Sequence, residues 1–139
     1  MTSDFLFRYE NYVSPTPGPE ILQVQRTGRV CTLQYYSWLH GAVHLHLELP
    51  AQETEALFKL VTQEVDFFAL PRHIEGSYVL LDGDWPFFTL HYAGREHSSG
   101  GHCAGYWNPT IDRLQEAMHH VFMTHILPVL PAYPPSLAS

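Results

Sequence analysis

Residues 49–71 read LPAQETEALFKLVTQEVDFFALP, and their spacing decides the fold. From Ala51 to about Val65, Leu57, Val61, Val65 and then Phe68 recur at helical intervals, while Glu53, Glu55, Lys59 and Gln63 fall on the opposite side. Pro50 suits the first helical position, where a missing amide hydrogen costs nothing, and Pro71 keeps the chain from turning helical again after Phe68. The stretch is a short amphipathic helix, and Phe67-Phe68-Ala69-Leu70 plugs one end of a core. A single apolar stripe needs a second layer to cover it, and the flanking sequence supplies strands.

On the N-terminal side, Phe5, Phe7 and Tyr9 mark a first strand, which SPTPGP at Ser14 to Pro19 interrupts. Strands at Ile21 to Arg26 and Arg29 to Ser37 form a hairpin around a Thr27-Gly28 turn. Opposing Arg26 to Arg29 sets Leu22 against Leu33 and Val24 against Cys31, with Gln23, Thr32 and Gln34 on the other face. Ala42 to Leu49 alternates, with Val43, Leu45, Leu47 and Leu49 on one side and His44, His46 and Glu48 on the other.

The second half repeats the plan. Tyr78 to Leu81, a turn at Asp82-Gly83-Asp84, Phe87 to Tyr92, a turn at Ala93-Gly94 and Arg95 to Ser99 read as three further strands. Tyr92 opposite Arg95 sets His91 against Glu96 and Thr89 against Ser98, and turns Phe88 and Leu90 inward. Gly100-Gly101 ends the sheet. Asn108 caps a last helix with Pro109 at its first position, and Ile111, Leu114, Met118, Val121, Phe122 and Ile126 line one face. The expected fold is α+β: an antiparallel sheet of about six strands in two β-meander halves, each followed by a helix, with both helices on one face. Residues 1–127 form the domain, and the proline-rich tail 128–139 is extended or disordered.

The chain has 139 residues, 45% apolar, 14% aromatic and only 15% charged, the composition of one compact globule. Fourteen carboxylates face seven basic side chains, so the field of the molecule repels phosphate backbones and nucleic acid is not an expected partner. Ten histidines temper this, since protonating all of them would raise the formal charge from −7 by ten, to +3. Cys31 and Cys103 make no C-x-x-C pair, which argues for a reduced cytoplasmic protein. The N-terminal MTSDFLFRYENY has no leader pattern and no run of about 18 apolar residues occurs, so no membrane partner is expected.

The Leu-Pro entry, the Glu in the first turn, the apolar stripe and the closing F-F-x-L-P of residues 49–71, with the order of strands and helices, resemble emfourin. Emfourins are small bacterial inhibitors of thermolysin-like metallopeptidases. The resemblance implies the α+β fold and an inhibitory role, but it lies on core positions and assigns no inhibitory residue to this chain. Leu81 to Phe122, with Asp82-Gly83, Trp85, Leu90, Tyr92, Gly94, Tyr106 and Pro109, is also similar to small uncharacterised bacterial α+β domains.

Two sets of residues carry candidate chemistry. His44 and His46 lie two apart on a strand, point to one face and continue to Glu48, the way a sheet offers two ligands to zinc. His97, His102 and Cys103 lie within HSSGGHC at a glycine-rich strand end. Together, with His91 as a further donor, they make a zinc site or metal-dependent hydrolase the alternative function, against a plain reading as solvent-facing strand and loop residues. His119 and His120 diverge by about 100° on a helix and cannot share a metal. Cys31 reads as a small buried hydrophobe, and Asp82 and Asp84 as turn residues without a calcium-loop ligand series.

The second set is aromatic: Trp38, Trp85, Tyr106 and Trp107 sit at hairpin or helix ends, and such side chains supply much of the binding energy of protein interfaces. No nucleophile, phosphate loop or metal motif occurs at a catalytic spacing. The sequence therefore predicts a small acidic non-enzymatic interaction protein of the inhibitor or immunity type, with no cofactor, that binds a partner protein.

Overall fold

A computed structural model describes residues 3–13, 19–38, 43–76 and 83–130. Six antiparallel strands, β1 (Phe5–Val13), β2 (Glu20–Thr27), β3 (Val30–Ser37), β4 (Val43–Glu48), β5 (Asp84–Tyr92) and β6 (Arg95–Gly100), form one sheet in the order β4-β3-β2-β1-β5-β6. The first four make a meander, and the second half adds β5 and β6 to the far side of β1. Helices α1 (Ala51–Lys59) and α3 (Pro109–Val121) pack on the same face of this sheet, which gives the expected α+β fold.

Period-2 alternation sets the faces. Phe5, Phe7, Tyr9, Leu22, Val24, Leu33, Tyr35, Phe88 and Leu90 turn to the helices and are buried. Against them lie Leu57, Phe58, Val61, Val65 and Phe67 from the first helical segment and Ile111, Leu114, Met118 and Ile126 from the last. Cys31 belongs to the same buried set, as a small hydrophobe should.

The β2–β3 register differs from the expected one. Thr27 pairs with Val30, so the turn is Gly28-Arg29, and Leu22 faces Tyr35, Val24 faces Leu33 and Arg26 faces Cys31. The cause is local. The first central residue has φ +63°, which glycine adopts without steric cost, whereas a Thr27-Gly28 turn would put a β-branched residue there. Because the slip is by two, every side chain keeps its face. The β5–β6 turn falls at Ala93-Gly94 as expected, both residues having positive φ, and Thr89 bonds Ser98 across the ladder at 2.8 Å.

Pro50 is the cap of α1 and not its first helical residue. Leu49 still donates to the Cys31 carbonyl at 3.0 Å, so strand passes into helix with no loop, and the Pro50 carbonyl accepts from both the amide and the hydroxyl of Thr54. The helix widens into a π turn at Leu60–Glu64, and Phe67–Ala69 form a 3-10 turn. Asn108 caps α3 as expected, its Oδ1 accepting from Thr110 and Ile111 amides at 2.9 and 3.1 Å. A short helix unforeseen in the sequence, α2 (Ala104–Trp107), precedes it, entered through Cys103 at φ 53°.

The two sheet edges differ. Segment Leu70 to Ile74 closes the Gly100 end of β6: His73 bridges Gly100, the Ile74 amide donates to the Gly100 carbonyl at 2.9 Å, and Ser99 Oγ donates to the Pro71 carbonyl. At β4 no described residue pairs with the outer edge. The expected strand Tyr78–Leu81, the residue Asp82 and tail residues 131–139 lie outside the described residues; of the tail, Leu127–Val129 form a 3-10 turn and Leu130 packs on the core.

Candidate functional site

With both helices on one face, no described helix covers the other face of the sheet, and its register lines up residues from five strands. His44, Tyr36, Ile21, Glu10 and Phe87 form one row across β4, β3, β2, β1 and β5. One step toward the end of the sheet lie Trp38, the residue after β3, and the Tyr12–Trp85 pair on β1 and β5. Tyr12, Trp85 and Trp38 are 42%, 45% and 48% exposed, a high value for three large aromatics on one surface. At about 4.8 Å per strand, β3 and β5 lie three spacings, roughly 14 Å, apart.

The rings are held by their neighbours. Tyr36 meets Trp38 edge-on at 6.4 Å and His44 at 6.3 Å, and Trp85 stacks on His102 at 4.5 Å. Glu10 links Arg8, at 2.6 Å, to the Tyr12 hydroxyl, at 3.3 Å. Desolvation and the Glu10 carboxylate push the Tyr12 phenol up, which keeps it a neutral hydrogen-bond donor.

The four expected aromatic anchors thus divide. Trp38 and Trp85 share the open face, whereas Tyr106 and Trp107 lie on α2, on the helix-covered side. Tyr106 is 69% exposed, and Trp107 packs on the core and against Gly76, where even a Cβ would collide with its indole. Tyr12 and Tyr36 were missing from the sequence reading. Their signal was their phase: Tyr12 follows Leu6, Arg8 and Glu10 in β1, and Tyr36 follows Thr32 and Gln34 in β3.

The expected metal ligands are distributed over the whole sheet. His44 and His46 project from the open face of β4, which lies at the edge opposite β6, about 24 Å away at five strand spacings. His97 turns to the core side, its Nε2 2.7 Å from the Leu70 carbonyl oxygen and its ring against Phe67 and Phe68. His102 lies on Trp85, and the Cys103 thiol is buried against Gly83. His91 faces Glu96 on exposed ladder positions. Among the described residues, no three His, Cys, Asp or Glu side chains converge as a metal-binding group.

A cleft of about 590 Å³ between α3 and the sheet is floored by a polar cluster. The Tyr9 hydroxyl accepts from Asn11 Nδ2 at 2.9 Å and Gln115 Nε2 at 3.2 Å, and Asp84 Oδ2 accepts from the same two groups at 3.3 and 3.0 Å. Tyr35 donates to Glu20 at 2.7 Å. The Gln115 bonds tie α3 to β1 and β5, and the Tyr35–Glu20 bond ties β3 to β2, a structural task. Burial, reinforced by the Asp84 and Glu20 charges, pushes the Tyr9 phenol up to about 12. The unfolded phenol ionises near 10, so this contribution to stability is complete below pH 10 and is lost as pH rises from about 10 to about 12. A denaturation midpoint followed through that window should fall, and less so in Tyr9→Phe; a midpoint flat to pH 12 would refute the assignment.

No described helix is long and apolar enough to cross a membrane. No family model matches this sequence, and no curated protein matches it either.

Proposed function

We propose that this chain is a non-enzymatic binding protein of the inhibitor or immunity type, which captures a partner protein on the open face of its sheet. The observation that carries this reading is the clustering of Tyr12, Tyr36, Trp38 and Trp85 at one end of the face that the helices leave bare. Rigid, half-exposed Trp and Tyr side chains lose little conformational freedom on binding and bury large areas, which makes them the usual energetic centres of interfaces. A net charge of −7 selects a basic partner and speeds its approach. The emfourin resemblance supports the inhibitor form, the reading requires no cofactor, and a reduced cytoplasmic setting suits two buried cysteines that form no disulfide.

The test uses immobilised chain against extract of its source and, as a defined probe, a thermolysin-like metallopeptidase. Trp38→Ala and Trp85→Ala should each weaken capture of the bound protein by roughly 30-fold, or about 2 kcal/mol, while leaving the thermal melt unchanged. Binding that survives both substitutions together would overturn the aromatic anchor.

A further inference from the structure

We infer that the open edge of β4 is a self-complementary docking strand on which a second copy of this chain pairs antiparallel, joining two six-stranded sheets into one. The outer edge of β6 is bridged at Gly100 by His73 and Ile74, whereas no described residue pairs with β4, which lacks the lysine, proline or bulge that usually blunts such an edge. The bond from the Leu49 amide to the Cys31 carbonyl fixes the phase of the β3–β4 ladder. Val43, Leu45 and Leu47 therefore bond inward to β3, and His44, His46 and Glu48 direct their amides and carbonyls outward.

Side chains in a continuous sheet keep their faces, so the two-fold axis allows only registers that pair residues of like phase. Three of them use this strand. Pairing Leu45 with the partner's Leu45 sets His44 against the partner's His46 and leaves Glu48 without an opposite charge. Pairing Leu47 with the partner's Leu47 sets His44 against the partner's Pro50, which has no amide hydrogen to give. Pairing His46 with the partner's His46 uses the strand along its whole length. It places His44 beside the partner's Glu48, a cross-strand pair of opposite charge when the imidazole is protonated. It also places Leu45 beside the partner's Leu47 at the close, non-bonded position on the helix side, where both side chains are only half-buried in one copy. The third register is the one that satisfies every outward group.

Sedimentation velocity of the full chain at up to about 0.1 mM should show a species of twice 15.9 kDa. His46→Pro removes an outward amide that β3 does not use, so it should give a monomer with an unchanged circular-dichroism melt. His44→Glu, which opposes two carboxylates, should also give a monomer, and adding Glu48→Lys to that chain should restore the dimer. A monomeric wild-type chain over this range, or a dimer indifferent to both His46→Pro and His44→Glu, would overturn the inference.

Discussion

Phe7→Ala should remove about 3–5 kcal/mol of unfolding free energy, a large part of the roughly 5–15 kcal/mol that holds a domain of this size together. Phe7 is fully buried at the centre of β1, between Val24 on β2 and Leu90 on β5. Its ring stacks on Phe88 at 5.5 Å and receives the edge of Phe67 at 5.6 Å. It is thus where the sheet, its later half and the exit of the first helical segment meet. The cost exceeds simple transfer because β1 is held by ladders on both sides, so the backbone cannot sink into the cavity left by the ring. Urea denaturation should show a lower midpoint with an unchanged slope. A loss below about 1 kcal/mol would mean that the three rings do not form one packed unit.

Gly100→Ala should destabilise by about 3 kcal/mol for a different reason, overpacking against backbone. A Cβ at Gly100 would stand 2.1 Å from the Pro86 carbonyl oxygen and 2.7 Å from Phe87 Cα. Neither atom is the end of a flexible side chain. The Pro86 carbonyl also accepts the Gly101 amide at 3.0 Å, and the Gly100 carbonyl accepts from Ile74, so moving β6 away breaks the contacts that cover its edge. The expected result is a lower melting temperature and faster amide exchange at Ile74 and Gly101. Wild-type exchange at both would show that the close approach relaxes freely.

Much of this architecture was legible because it is local. The stripe Leu57, Val61 and Val65 is buried as its spacing requires, Asn108-Pro109 begins a helix, and His44-x-His46-x-Glu48 lies on the open face. Where local reading failed, the competing cause was also local but finer. Gly28 took the positive-φ position of its turn and moved the ladder by two, and Pro50, expected as the first helical residue, is the cap of α1. The helix α2 has only four residues, too few for a period to declare itself.

The candidate surface was legible only in part. Trp38 and Trp85 stood out by type, but 47 positions of chain separate them, and nothing in either neighbourhood states that they share a face. That follows from β5 choosing β1 as its neighbour, which puts Trp85 beside Tyr12 and the first-half meander. The same choice sends β4 to one edge and β6 to the other, dividing the histidines that the sequence set side by side as possible ligands. By itself, then, the sequence determined which side of each strand and helix is apolar, since a repeat of 2 or 3.6 residues is written along the chain. Only the tertiary structure decided which strands are neighbours, which edge no described residue pairs with and which aromatics assemble into one surface, because strand pairing joins distant segments and leaves no period in either of them.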